Sequence, residues 1–219
     1  MNLAKETFAL MRKDLLLEWR GKYALSGILL YVFSTVFIVY TSFEEITPRA
    51  WNTLFWIVLL FAAISAIVKS FVQENSARAL YYYGLANPIA VILSKTLYNI
   101  ILLSLVSLLT WGCFSMMAGN AAKDIQKFLM VLFLGSVGLS ITFTFIAAIA
   151  GKADHSATLM AILSFPLILP ILMILTRLSA NALRLEVMTG INKDISILLA
   201  IDLISLGMAL ILYPFLWKE

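Results

Sequence analysis

The chain has 219 residues and a net charge of +4; 62% of its residues are hydrophobic and only 13% are charged. Soluble domains average about 45–50% apolar and about 25% charged residues, so this composition excludes an ordinary soluble domain. Stretches of about 20 apolar residues cross a bilayer as helices, and the chain contains several of them and little else. It is predicted to be an all-α integral membrane protein with a single transmembrane domain over residues 1–219.

The first 23 residues predict an amphipathic helix that lies along the membrane surface. On a helical wheel, one apolar stripe contains Ala4, Phe8, Met11, Leu15 and Trp19. The cations that fall on or beside the opposite side are Lys5, Arg12, Lys13 and Arg20. Such a helix lies in the interface with its tryptophan at headgroup depth. The alternative interpretation is a frayed polar leader.

Six transmembrane helices are predicted after this segment. Their approximate ranges are 24–42, 50–68, 89–118, 128–150, 157–176 and 195–217. Ten Lys and Arg residues flank the spans on the side that holds both termini, and six flank them on the other side. Because cytoplasmic loops carry the excess of Lys and Arg, both termini are predicted to be cytoplasmic.

The connector "KSFVQENSARALYYYGLANP", residues 69–88, is the longest on the predicted cytoplasmic side. Glu74 precedes Arg78 by four residues, the favourable order for an ion pair on a helix. Pro88 restricts Asn87 to extended geometry and so marks a helix boundary. The connector is predicted to contain a coupling helix that docks a cytoplasmic partner; the alternative is a turn whose tyrosines anchor at headgroup depth. The candidate contact residues are Phe71, Glu74, Arg78, Tyr81 and Tyr82.

Three residues inside the later spans are candidates for a functional role. Asp202 lies in the last span, where an ionisable group is costly and commonly functional or paired. The alternative for Asp202 is a structural pairing with Lys193 or Arg177. Pro166 and Pro170 each remove a backbone hydrogen bond, so the fifth span is predicted to kink there. A kinked span suits a protein that opens and closes, although proline is also common in inert membrane helices.

The fourth span carries small residues at every fourth position. These residues are Ser136, Ser140, Thr144 and Ala148, with Gly135, Gly138 and Gly151 nearby. A stripe of small side chains lets two helix backbones approach closely. The stripe is predicted to pack within the bundle, and a contact with a second copy of the chain is the alternative.

No motif predicts catalysis or a directly bound cofactor. The chain lacks G-x-x-x-x-G-K-[ST], so it is not expected to cradle ATP phosphates itself. A zinc site needs several His or Cys ligands, and the chain contains only His155 and Cys113. His155 falls in a short connector and is interpreted as a solvated loop residue. The chain is therefore predicted to be no enzyme, with no catalytic, cofactor-binding or metal-binding residues.

The segment "LFWIVLLFAAISAIVKSFVQE" (54–74), followed by "LANPIAVILSK" (85–95), resembles the CcmB family, the permease subunit of the haem exporter in bacterial cytochrome c maturation. The positions that match the family pattern are Trp56, Leu59 to Ala62, Phe71, Glu74, Pro88 and Lys95. "FPLILPILM" and "KDLLLEWR" resemble the family's paired-proline span and its charged leader. The resemblance covers nearly the whole chain, and "ARALYYYG" departs from the more aliphatic pattern expected there.

This resemblance implies an ABC-2-like permease with six spans in the bacterial cytoplasmic membrane. It implies that two copies pair with a separate ABC ATPase subunit, which would dock on the connector 69–88. A haem-handling membrane subunit and a small accessory subunit would complete the complex, with no nucleic acid partner. ATP would be hydrolysed on the partner, and haem would be exported or a haem-loaded chaperone released.

Two alternative functions remain open at this point. One is an ABC-2 permease for a lipid, a polysaccharide or a drug, and the other is a membrane scaffold that only positions a haem-handling partner. Neighbouring genes for cytochrome c maturation would separate the haem system from the first alternative. ATP-dependent release of the chaperone by the purified complex would separate it from the second.

Overall fold

The structure is a computed structural model, and it describes the backbone of residues 3–21, 23–72, 87–150, 156–185 and 190–218. Side chains are described for residues 3–18, 26–67, 87–150, 162–185 and 190–215. Every regular element within these ranges is an α-helix. The helices are α1 (Leu3–Gly21), α2 (Tyr23–Ser42), α3 (Pro48–Val72), α4 (Pro88–Met117), α5 (Ile125–Ala150), α6 (Ser156–Ala182) and α7 (Ile191–Lys218).

A helix lies at each of the six predicted spans, and α1 is helical almost throughout the predicted surface helix. The frayed-leader interpretation of the N-terminus is therefore wrong. Among the described helices, α3 to α7 are long and apolar enough to cross a membrane, and α2 has a shorter apolar stretch, Ser26–Ser42. The chain is a multi-pass membrane protein, and the sixth crossing, by α2, stays a prediction.

The centre of the bundle is α5, which packs against α3, α4, α6 and α7. Its small-residue stripe faces α4: the hydroxyls of Ser107 and Ser136 lie 3.1 Å apart, and Asn99 Nδ2 donates to Thr144 Oγ1 at 2.8 Å. The sum of the two residue numbers is 243 in both pairs, so α4 and α5 run antiparallel in register. The prediction that this stripe packs within the bundle is confirmed. Because Ser136, Ser140 and Thr144 are buried inside this chain, they are not free to contact a second copy.

The outward faces of α2, α6 and α7 are covered with large apolar side chains. Examples with more than half of their surface exposed are Leu30, Phe33, Phe165, Leu203 and Ile211. Contiguous apolar surface of this extent is rare on monomeric soluble proteins. Such faces are suited to contact with lipid tails, in agreement with a multi-pass membrane protein.

The coupling helix that the sequence predicts falls in the α3–α4 connection. Residues 73–86 lie outside the described residues, and with them Glu74, Arg78, Tyr81 and Tyr82. Helical backbone extends through Phe71 to the end of α3 at Val72, although the Phe71 side chain is not described. The coupling helix stays a prediction.

The boundary that Pro88 predicted is present as the start of α4. Asn87 has the expected extended backbone, with φ −72° and ψ 124°, and its side chain accepts a hydrogen bond from the Ile89 N–H at 2.9 Å. Asn87 is thus the N-cap, and proline at the first helical position sacrifices no hydrogen bond.

The paired prolines lie inside α6, which continues through Pro166 and Pro170 from Ser156 to Ala182. Both rings are on the exposed side of the helix. Their role in opening the bundle stays a prediction.

Candidate functional site

One end of the bundle holds α1 against the start of α4 through three polar contacts. Glu6 Oε1 accepts a hydrogen bond from the Asn87 backbone N–H at 2.8 Å. Lys95 Nζ lies 3.3 Å from Asp14 Oδ2, and the Tyr98 hydroxyl donates to Glu18 Oε2 at 3.4 Å. Along these three contacts the residue numbers increase on both helices, so α1 runs parallel to the first turns of α4. We call this set the clamp; it consists of Glu6, Asp14 and Glu18 of α1 with Asn87, Lys95 and Tyr98 of α4.

The central ion pair of the clamp is nearly withdrawn from solvent. The side chains of Asp14 and Lys95 are 9% and 6% exposed. Lys13 Nζ also approaches Asp14, at 3.0 Å from Oδ1. A buried charge is tolerated only when it is paired and hydrogen-bonded, so each partner depends on the other. Lys95 is one of the positions that carried the family resemblance, and its contact is with the charged leader.

The clamp determines which side of α1 faces α4. Met11 and Leu15 of the predicted apolar stripe pack against the protein core, whereas Phe8 is 62% exposed and Ala4 is exposed. The Trp19 side chain lies outside the described residues. Within the described residues the stripe is thus divided between the protein core and the outside, and the position of α1 along the membrane surface stays a prediction.

α4 is longer than the hydrocarbon core of a bilayer is thick, and the clamp lies at its first turns. α4 has 30 residues and is about 45 Å long. The hydrocarbon core of a bilayer is about 30 Å thick, which leaves about ten residues of α4 to project. Asn87 lies at the end of the connector 69–88, and Lys95 and Tyr98 follow in the first turns of α4. The clamp thus joins α1 to the helix that begins where this connector ends.

The opposite end of the bundle is held by buried aromatic rings from three helices. We call this set the aromatic cluster; it consists of Trp51, Phe55, Trp56, Phe114 and Phe128, each no more than 1% exposed. Trp51 stacks on Phe55 with ring centroids 5.4 Å apart and meets Phe114 edge-on at 5.5 Å. The Trp51 indole N–H donates to the Gly119 carbonyl at 3.1 Å, which ties α3 to the end of α4.

Trp56, another residue of the family pattern, joins α3 to α5 and α6. Its indole N–H donates to Ser179 Oγ at 2.8 Å, and the Ser179 hydroxyl lies 2.7 Å from Asn52 Oδ1. Asn52 Nδ2 in turn donates to the Thr176 carbonyl at 2.9 Å. A Cβ atom on Gly135 would lie 2.8 Å from Trp56 Cη2, so α5 needs glycine at that position. Trp56 and Gly135 each stand out in the sequence, but no local pattern predicts that they touch.

Asp202 is buried between α7 and α5, where only 4% of its surface is exposed. A Cβ atom on Gly138 would lie 2.9 Å from Asp202 Oδ1, so the carboxyl packs directly on the glycine backbone. Oδ1 has no hydrogen-bond partner within the described residues. The alternative pairing with Arg177 or Lys193 is not present in the described part of the chain, and Arg177 Nη1 instead lies 3.9 Å from Asp194.

Several buried polar atoms near the centre of the bundle also lack partners among the described residues. They are Asn99 Oδ1, Ser140 Oγ and Thr142 Oγ1. Buried polar atoms without partners are rare in folded proteins, so this region of α4 and α5 has unused hydrogen-bonding capacity. Sequence analysis missed Asn99, although an amide in the middle of an apolar span was a visible signal. Within the described residues, no three His, Cys, Asp or Glu side chains lie close enough together to hold a metal ion.

Comparison with known proteins agrees with the motif positions. No curated protein matches the chain. The sequence profile described as CcmB protein matches residues 5–216, which include the clamp, the aromatic cluster and Asp202. The chain therefore belongs to the CcmB family of membrane permease subunits.

Proposed function

We propose that the chain is the permease subunit of an ABC complex for cytochrome c maturation. It couples ATP hydrolysis on a separate ATPase subunit to haem export or to release of a haem-loaded chaperone. The observation that carries this proposal is the family match over residues 5–216, nearly the full chain. Haem is the handled substrate, and ATP binds to the partner.

The clamp supports a mechanical role for the end of the bundle that carries α1. An ATPase docked on the connector 69–88 pushes or pulls on α4, which begins at Pro88. The ion pair between Asp14 and Lys95 and the two flanking contacts make α1 follow that movement. Two packed elements then move as one body, as in the rigid-body transitions that many switching proteins use.

In this proposal the complex lies in the bacterial cytoplasmic membrane, with both termini of the chain in the cytoplasm. Two copies of the chain pair with the ATPase, together with a haem-handling membrane subunit and a small accessory subunit. The excess of Lys and Arg on the α1 side supports the orientation.

Deletion of the chain tests the proposed function. Covalent haem attachment to c-type cytochromes is expected to disappear, while b-type haem proteins persist because they need no such attachment. Haem staining of membrane proteins after gel electrophoresis measures both. Normal haem-stained c-type cytochromes in a deletion strain without paralogues would contradict the proposal and favour a permease for another substrate.

Charge reversals in the connector test the docking. Glu74→Lys and Arg78→Glu, made separately, are expected to weaken co-purification of the ATPase or to uncouple its hydrolysis, with normal membrane insertion. Glu45→Lys is the matched control, because Glu45 is an exposed acid in the α2–α3 connection on the opposite side. If both connector variants keep full ATPase binding and full cytochrome c maturation, the connector is an ordinary turn.

A further inference from the structure

We propose that the outward side of α1 is a binding surface for anionic phospholipids. This side carries Lys5, Phe8, Arg12, Leu16 and Leu17, and we call it the outer face of α1. The proposal concerns the membrane around the protein, and it does not depend on which substrate the complex handles.

The acids and the free cations of α1 lie on different sides of the helix. All three acids, Glu6, Asp14 and Glu18, are engaged by α4 in the clamp. Lys5 and Arg12 are exposed and form no ion pair within the described residues. The outer face therefore carries positive charge without a neighbouring carboxylate, which is complementary to an anionic headgroup.

Large apolar side chains lie between these cations. Phe8, Leu16 and Leu17 are 62%, 51% and 52% exposed. With Lys5 and Arg12 they line an open groove of about 780 Å³ along the helix. Exposed apolar side chains beside cations are typical of a helix that inserts into the headgroup layer, where the long basic side chains reach the phosphates.

Chain connectivity places the end of α1 beside an apolar helix that is predicted to enter the membrane. α1 ends at Gly21 and α2 begins at Tyr23, so α1 continues almost directly into an apolar helix. The clamp fixes the rotation of α1 about its own axis, so the outer face is turned away from α4. Near an anionic leaflet each basic side chain contributes about 1 kcal/mol, which corresponds to about a fivefold change in affinity. Anionic lipid is therefore the occupant that fits both the charge and the position.

A fluorescence titration of the full chain tests this proposal. Ala9, which lies in the groove, is changed to Cys in a Cys113→Ser background and labelled with an environment-sensitive dye. The labelled protein is placed in phosphatidylcholine nanodiscs in which phosphatidylglycerol replaces an increasing share of the lipid. We expect a blue shift that grows with the phosphatidylglycerol share and weakens at high salt, because salt screens exposed charges.

Charge-removal variants make the test specific. Lys5→Gln and Arg12→Gln are each expected to weaken the affinity for phosphatidylglycerol about fivefold, and the double variant about twenty-five-fold. The matched control Lys193→Gln removes an exposed cation before the first span residues of α7 and is expected to change nothing. All three positions are exposed, so the variants are expected to fold.

Two results would overturn the proposal. One is a blue shift of the dye that is equal in nanodiscs with and without phosphatidylglycerol, or equal in the charge-removal variants and the parent protein. The other is a dye that stays in water in every lipid mixture and becomes shielded only when the ATPase subunit is added, which would make the outer face of α1 a protein contact.

Discussion

The two ends of the bundle are held together by different chemistry. At the α1 end, the clamp joins α1 to α4 through polar contacts of 2.8 to 3.4 Å. At the other end, the aromatic cluster joins α3, α4 and α5 through rings that are almost fully buried. Interlocked rings from three helices cannot slide without opening cavities, whereas the clamp ties only α1 to α4, so that these two helices can move as one body. Under the proposed function, the aromatic end is therefore expected to stay fixed while α1 and the start of α4 move together.

The largest expected effect is at the aromatic end. Trp56→Ala removes a buried indole, opens a cavity beside Gly135 and breaks the hydrogen bond to Ser179, so we expect a loss of about 3–5 kcal/mol in the free energy of unfolding. Reversible denaturation in mixed micelles measures this loss. Ile57→Ala, at the next residue and 45% exposed, is the control and is expected to cost much less. Equal losses for the two variants would show that the aromatic end is not the rigid one.

Removal of one partner of the clamp is expected to have the next largest effect. Lys95→Met leaves Asp14 buried with Lys13 as its one remaining ion-pair partner among the described residues, so we expect a loss of about 3 kcal/mol in the free energy of unfolding, at the low end for a broken buried pair. The double variant Asp14→Leu/Lys95→Met removes both charges and is expected to recover part of that loss. Lys123→Met, at an exposed cation, is the control. Strictly additive losses from Asp14→Leu and Lys95→Met would mean that the two side chains do not interact.

A smaller effect is expected at the contact between Gly138 and Asp202, between the two ends. Gly138→Ala places a methyl group 2.9 Å from the carboxyl oxygen, so we expect a loss of about 1–3 kcal/mol. In the double variant Gly138→Ala/Asp202→Ala the methyl group no longer meets the carboxyl oxygen, so part of the lost stability is expected to return. Gly112→Ala is the control, because a Cβ atom there meets nothing within 4 Å. If Gly138→Ala and Gly112→Ala behave alike, the carboxyl does not pack on the glycine.

The helices could be predicted from sequence because both signals that define them, apolar stretches and the prolines and polar residues at helix ends, depend on residues close together in the chain. The start of α4 followed from Pro88 and its effect on Asn87, and the packing of α5 followed from its small-residue stripe. The inward side of α1 could not be predicted in this way. A helical wheel assigns apolar side chains to the inside and charged ones to the outside. Asp14 faces inward because it forms an ion pair with Lys95, which lies 81 positions later in the chain. The paired spacings, Asp14 to Glu18 and Lys95 to Tyr98, were the available signal.

The same limit applies to the contacts of single glycines. Gly135 and Gly138 were recognised as small residues, but only the folded chain shows which side chain each one admits, an indole in one case and a carboxyl in the other. Such pairs join helices that are distant in sequence, and no local pattern encodes them.

The most direct test of the account is the number of haem-loaded chaperone molecules released per ATP hydrolysed by the purified complex. The account predicts that release needs hydrolysis, and that a non-hydrolysable ATP analogue does not support it. It further predicts that Lys95→Met hydrolyses ATP but releases fewer chaperone molecules per ATP, because α1 no longer follows α4. Release at the same rate without hydrolysis would contradict the account and would leave the chain as a scaffold.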